Sequence, residues 1–341
     1  MTGYTFRDGH AAHAEPGHPE RPARLEAVRE RLRRDGGLDG LVRLQGRAAP
    51  RAALERVHDP AYLDLLQAFC ADGGGALDVD TYATAASWDV ASRSCGDLLA
   101  LVDAVCGGAL ANGMALGRPP GHHARPAAPM GFCLISNAAV AARHAQAEHG
   151  VERVMIVDMD VHHGNGTQEA FYADATVLVV SSHQDGIYPG SGALAETGAG
   201  DGIGATVNLP VPAGTDDALA GLYRRVLPPL ADRFRPELVL LSAGYDAHRL
   251  DPLGGLALSV AGLAELVRVV RGVADRHAGG RLVATLEGGY HADALAHGVA
   301  ATLRVLLDAE ADVLDPFGPT YRAGPDLSAV AHGARELHGL G

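Results

Sequence analysis

Val154-Met155-Ile156-Val157 runs directly into Asp158-Met159-Asp160-Val161-His162-His163-Gly164-Asn165-Gly166. Four aliphatic residues without polar alternation read as a strand buried on both faces. Three further runs share this character: Val177-Leu178-Val179-Val180, Leu238-Val239-Leu240-Leu241 and Leu282-Val283-Ala284-Thr285-Leu286. Helical patterns precede and separate them, at 22–34, 60–71, 87–105, 134–149, 216–234, 259–277 and 293–307. Asp216-Asp217 and Ser259 are candidate N-caps. Pro228-Pro229 is expected to interrupt the helix in which it falls. Strand–helix alternation of this kind predicts an open α/β fold around a parallel sheet. Ligands in such sheets bind at the carboxyl ends of the strands. The residues that follow each aliphatic run are therefore the ones to inspect for chemistry.

The composition sets the outer bounds. The chain has 341 residues, 47% apolar and 20% charged, as in ordinary globular proteins. Disordered, collagen-like and disulfide-scaffold classes are excluded. Its 28 basic residues, all arginine, face 41 acidic ones, for a formal charge of −13. So acidic a chain is poorly suited to nucleic acid, which is bound by basic surface, or to an anionic membrane. It favours cationic partners instead. Cys70, Cys95, Cys106 and Cys133 form no CxxC pair and read as reduced thiols. Met1 to Glu20 lacks the basic start and apolar run of a secretory signal. No apolar stretch approaches the roughly 20 residues of a membrane span. A soluble, cytoplasmic protein is expected, compatible with a homo-oligomer. No repeat or linker divides the chain, so residues 1–341 read as one domain, with 313–341 a Gly-, Pro- and Ala-rich tail expected to pack loosely.

Extended geometry continued past Val157 would set Asp158, Asp160 and His162 on one side. Carboxylate and imidazole together suit a divalent transition metal. An isolated Asp-x-His is more often a helix cap beside a surface histidine. Three polar groups at one strand end, closed by a Gly-Asn-Gly turn, favour a metal here. Asp246 follows the Leu238–Leu241 run and is a candidate third ligand. Glu287-Gly288-Gly289-Tyr290 follows the last run, and its two glycines allow a sharp turn that presents a tyrosine. That hydroxyl either lies at the surface or stabilises an oxyanion beside a metal. His122-His123 follows a Pro-Gly turn, where both rings can reach one cavity and one can act as a base. Phe132 is a candidate wall of an apolar channel or a core residue.

Together these pieces resemble the zinc-dependent histone deacetylase superfamily, which includes acetylpolyamine amidohydrolases and bacterial deacetylase-like amidohydrolases. The resemblance extends from Gly17-His18-Pro19-Glu20-Arg21-Pro22 to Glu287-Gly288-Gly289-Tyr290, with five motifs in the family's order. The stretch from Asp158 to Gln168, and Asp251-Pro252-Leu253-Gly254-Gly255, are similar to the class II branch. The resemblance implies the arginase–deacetylase fold, with a parallel sheet of about eight strands and helices on both faces. It implies one Zn²⁺ held by Asp160, His162 and Asp246, with an open position for water. It makes His123 the base, His122 an electrostatic partner and Tyr290 the oxyanion donor. Asp158 would orient His122 and Asn165 would orient His123, the neutral amide leaving His123 less basic than a carboxylate partner would. A structural K⁺ is implied near Asp158, Asp160, His162, Ser181 and Ser182, mostly through main-chain carbonyls. Gly131, Phe132, Tyr188 and Leu253 match the acyl channel.

The implied reaction is hydrolysis of an acylated amine to a carboxylate, foremost acetate, and a free amine. Leu253 stands where the polyamine-selective branch carries glutamate, which places acetyl-lysine in proteins slightly ahead of acetylpolyamines. Asp72, Asp78, Asp80 and the net charge read either as favouring a polyamine cation or, for the three aspartates, as a solvated acidic loop. Tyr188 and Tyr245, where many relatives have phenylalanine, are each expected to add a hydroxyl near the site. Two other classes fit the same framework. A binuclear manganese ureohydrolase needs Asp-x-His-x-Asp ligands, and Asp160-Val161-His162-His163-Gly164 lacks the trailing aspartate; two Mn²⁺ per chain would mark that class. A non-catalytic acyl-amine sensor has no need of both histidines and Tyr290.

Overall fold

A computed structural model describes residues 1–34, 36, 38–318 and 324–341. Its strands are β1 (Thr2–Phe6), β2 (Leu41–Leu44), β3 (Gly74–Ala76), β4 (Tyr82–Thr84), β5 (Asn112–Leu116), β6 (Val154–Asp158), β7 (Val177–Gln184), β8 (Thr206–Val211), β9 (Leu238–Ala243) and β10 (Leu282–Leu286). The helices are α1 (Ala23–Arg34), α2 (Arg51–Leu54), α3 (Pro60–Ala71), α4 (Ser87–Cys106), α5 (Asn137–His149), α6 (Asn165–Phe171), α7 (Ala218–Phe234), α8 (Val260–His277), α9 (Ala292–Leu307) and α10 (Ser328–Leu337). Eight strands form one sheet in the order β2-β1-β5-β10-β9-β6-β7-β8. Every pairing in that sheet is parallel. β3 and β4 make a separate antiparallel pair.

The unbroken apolar runs have a direct cause. Each face of the sheet carries its own core, so both sets of alternating side chains are buried. Met155 and Val157 of β6 join a core built with α1, α7, α8 and α9. Val154 and Ile156 join a second core built with α4 and α5. Ser259 caps α8, its hydroxyl accepting the Gly262 N–H at 2.8 Å.

Two expectations need correction. Pro228 and Pro229 lie inside α7 without ending it. Each costs about 3 kcal/mol in a helix interior. Leu219, Leu222, Tyr223, Val226, Leu227 and Leu230 of that helix are all buried, and such side chains return roughly 1.5–3 kcal/mol each. Asp217 does not cap α7 through its side chain. Its carboxylate instead accepts the Ser259 N–H and hydroxyl, tying the start of α7 to the start of α8. In the tail, α10 packs on α7 and β8 with Ala331 and Ala334 buried; residues 319–323 lie outside the described residues.

Order in the sheet decides where the site forms. The chain leaves β5, places β6 three positions away, and fills the gap later with β9 and β10. The carboxyl ends of β5, β10, β9 and β6 therefore lie side by side. These are the ends followed by His122-His123, Glu287–Tyr290, Asp246 and Asp158–His162.

Candidate active site

β6 ends at Asp158, so strand alternation does not orient the residues beyond it. Two successive side-chain turns do. Asp158 Oδ1 accepts the Asp160 N–H at 3.0 Å, and Asp160 Oδ1 accepts the His162 N–H at 3.0 Å. The expectation that alternation would align the three is thus corrected: Asp158 turns to His122, while Asp160 and His162 turn to Asp246.

His162 Nδ1 faces Asp160 Oδ1 at 3.1 Å and Asp246 Oδ2 at 3.3 Å. Both carboxylates are fully buried. The Gly288 N–H donates to Asp160 Oδ2 at 2.9 Å, and the Val161 N–H to Asp246 Oδ1 at 3.0 Å. Asp246 Oδ2 is buried, and among the described residues the 3.3 Å approach of His162 Nδ1 is its one polar contact. Burial and the neighbouring Asp160 push the Asp246 carboxyl up to about 7. Burial opposes charge on His162, yet Asp160 and Asp246 raise its imidazole to about 10. Two buried carboxylates and one imidazole thus share a deficit of positive charge. A divalent cation with N and O ligands fits that deficit.

The tandem histidines lie beside this cluster, ring centroids 4.0 Å apart. His122 Nδ1 donates to Asp158 Oδ2 at 2.9 Å. Burial disfavours its cation, but Asp160 and Asp158 overrule burial and hold its pKa above the ordinary imidazole range. His123 Nδ1 donates to Asn165 Oδ1 at 2.7 Å, and the Asn165 amide N–H turns to Met130 Sδ. Burial, then His122 and His162, press the His123 pKa well below that range. The two rings are thereby pushed in opposite directions, His122 toward the cation and His123 toward the free base.

A cavity of about 270 Å³ opens over these groups, lined by Asp80, His123, Gly131, Phe132, His162, Tyr188, Leu253 and Tyr290. The Phe132 ring meets Tyr290 edge-on at 5.6 Å, and His123 meets Tyr188 at 5.1 Å. Tyr188 and Leu253 are each more than a third exposed and form the rim. Gly131 has φ +54°, and a Cβ there would stand 2.4 Å from the His123 ring. Gly131→Ala is expected to displace His123 and cut kcat while leaving the sheet folded. Steady-state kinetics beside a circular dichroism melt checks this.

Tyr245 corrects an expectation. It is fully buried and its hydroxyl meets Thr302 Oγ1 at 2.8 Å, facing α9 rather than the cavity. A tyrosine on an irregular turn, one residue before Asp246, has no period to fix its direction. Ser181 pairs in register with Asp158, and the Ser182 hydroxyl bonds Tyr223 Oη at 2.7 Å with the Asp158 carbonyl 3.5 Å away.

Several residues given no role by sequence reasoning hold this arrangement. The Glu287 carboxylate accepts the Gly121 and His122 N–H groups at 2.6 and 3.1 Å, joining the β10 and β5 loops. Its signal was available, since it follows a buried strand as Asp158 closes one. Glu20 is fully buried between Arg118 and Arg24, bonded to each within 3.0 Å. Arg24 in turn donates to the Glu287 and Gly289 carbonyls and lies 4.9 Å from the Tyr290 ring centroid. Asp251 Oδ2 accepts the Tyr290 N–H at 2.6 Å.

His58 fastens the histidine loop from outside. Its Nδ1 bonds the Arg125 carbonyl at 3.1 Å, and its Nε2 accepts the Ser136 N–H at 2.9 Å. Burial lowers its pKa from 6.5 to about 4. A folded-state pKa below the unfolded value gives stability that is present above pH 6.5 and lost as pH falls toward 4, on the order of 3 kcal/mol in all. Urea unfolding from pH 7 to pH 4 is expected to show a shallower acid loss for His58→Gln than for the wild type.

Comparison with known proteins settles the kinship. The profile of the histone deacetylase domain matches residues 18–306. The chain belongs to the histone deacetylase family. It is 42% identical over 283 residues to a histone deacetylase-like amidohydrolase of Pseudomonas aeruginosa, covering 81% of this chain and 73% of that one. It is 41% identical over 323 residues to the human polyamine deacetylase HDAC10, covering 89% of this chain and 47% of that longer protein. A crystal structure of the HDA15 HD domain superposes with TM-score 0.89 at 33% identity, covering 98% of this chain and 95% of the other. The single α/β domain with its eight-stranded parallel sheet is the family's arginase–deacetylase fold. Membership supports a hydrolase acting on amides. Among the described residues no helix is long and apolar enough to cross a membrane.

Proposed function

We propose that this family member is a zinc-dependent amidohydrolase that removes an acetyl group from an acylated amine, with Asp160, His162 and Asp246 as the zinc ligands. The observation that carries the reading is the cluster of Asp160, His162 and Asp246, whose ligand atoms all lie within 4.8 Å of one another, with His162 lining the cavity. Zinc bound there supplies a Lewis acid that polarises the acyl carbonyl and makes water more acidic.

The chain's own groups do the rest. His123, neutral and at the cavity wall, takes the proton of the attacking water at Nε2 and returns it to the leaving amine. His122, held by Asp158, stays charged and stabilises the anionic transition state. The Tyr290 hydroxyl donates to the carbonyl oxygen as charge develops there. Burial raises the Tyr290 pKa, although Arg24 opposes it, so the phenol keeps its proton. Phe132, Gly131, Tyr188 and Leu253 enclose an alkyl stem, whose methylenes gain about 0.8 kcal/mol each on burial. We place a structural K⁺ near the carbonyls of Asp158, Asp160 and His162 with Ser181 and Ser182. The Ser182 hydroxyl beside the Asp158 carbonyl supports that placement.

Acetyl-lysine in proteins is the leading substrate, since Leu253 puts no carboxylate at its own place on the rim. Acetylpolyamines are the second reading, favoured by Asp80 in the cavity lining and by the polyamine-deacetylating relative. A deacylation panel on zinc-loaded protein, with acetyl-lysine peptides, acetylpolyamines and longer acyl chains, separates them. Inertness toward every acylated amine would overturn the assignment.

A further inference from the structure

We propose that Asp103, His144 and His149 form a second site for a divalent transition-metal ion, remote from the cavity. Asp103 lies in the last turn of α4, and His149 is the last residue of α5. The Nε2 atoms of His144 and His149 both approach Asp103 Oδ1 at 2.7 Å. The three groups offer ligand atoms that all lie within 4.8 Å of one another.

Three further features fit a cation. Two imidazoles and one carboxylate are the mixed donor set that Zn²⁺, Ni²⁺, Co²⁺ and Cu²⁺ accept. The group sits where α4 and α5 both end, and the unpaired carbonyls of helix C-termini favour positive charge. The Asp103 side chain is about half exposed, whereas those of His144 and His149 are 12% and 22% exposed. The two mostly buried imidazoles thus share a carboxylate that faces solvent, from which water would reach a bound ion. The neighbouring Glu148 is engaged by Arg56 and is not needed as a ligand.

The site is separate from the catalytic centre. α4 leads toward the amino end of β5 and α5 toward that of β6, whereas the cavity opens at the carboxyl ends. An ion here would cross-link two helices that pack on the same sheet face, raising stability without touching the reacting groups.

Equilibrium dialysis of the full chain against Zn²⁺, with metal counted by mass spectrometry, tests this. The wild type is expected to hold two ions, and His144→Ala/His149→Ala to hold one with unchanged deacetylation. Asp246→Ala is expected to keep the α4–α5 ion. Asp103→Asn is a milder variant that should lose the same ion if the double variant folds poorly. Equal zinc content in the wild type, the double variant and Asp103→Asn would overturn the site, leaving the histidines as hydrogen-bond partners of Asp103. Loss of the cavity ion alone would count against the catalytic reading and not against this one.

Discussion

Tyr290→Phe is expected to lower kcat by about 10²–10³-fold, the usual cost of removing one oxyanion donor. The ring stays packed against Phe132, and Asp251 still accepts the residue's N–H, so folding and substrate affinity should change little. Because the lost bond strengthens only as the carbonyl gains charge, kcat and kcat/KM should fall together. Steady-state kinetics on an acetylated amine reads this directly. An unchanged kcat would remove the hydroxyl from the chemistry and return Tyr290 to a packing role.

The second large effect belongs to His123. His123→Ala is expected to cost about 10²–10⁴-fold in kcat, the range for loss of a general acid–base group. His122→Ala should cost less, since that ring contributes charge and not proton transfer. The environments of the two rings support this division. Burial and two neighbouring imidazoles push His123 toward the free base, and Asp160 and Asp158 push His122 toward the cation against burial. Activity requires the free base, so it should fall as pH drops through a His123 pKa lying below the ordinary imidazole range. Asn165→Asp would place a carboxylate on Nδ1 and move that acid limb to higher pH. A pH–rate profile of wild type and variant checks the sign.

Much of this site could be read along the chain because strand ends carry it. A run such as Leu238–Leu241 announces a buried strand, and a carboxylate shortly after it lies at the ligand-binding edge of the sheet. Asp158, Asp160, His162, Asp246 and Tyr290 are candidates on this ground, and the sheet order sets the strands they close or follow side by side. What lay beyond reach depends on direction in irregular backbone. Tyr245 stands beside Asp246 yet points to Thr302, and no periodicity governs a side chain on such a turn. Asp217 forgoes its own helix because Ser259, distant in sequence, offers two donors. Pro228 and Pro229 persist within a helix because burial on its other face outweighs their cost. Glu20 was seen only as part of a motif. Its work, clamping Arg24 four residues on and Arg118 far along the chain so that the histidine and tyrosine loops stay in place, depends on a tertiary contact.

Zinc titration of metal-stripped protein, scored by hydrolysis of an acetylated amine, tests the central claim most directly. Activity is expected to return as the cavity ion binds, and Asp246→Ala is expected to bind one ion fewer and to stay inactive at any zinc concentration tested. Full activity in the stripped wild type, or equal zinc uptake and equal turnover in Asp246→Ala, would contradict it.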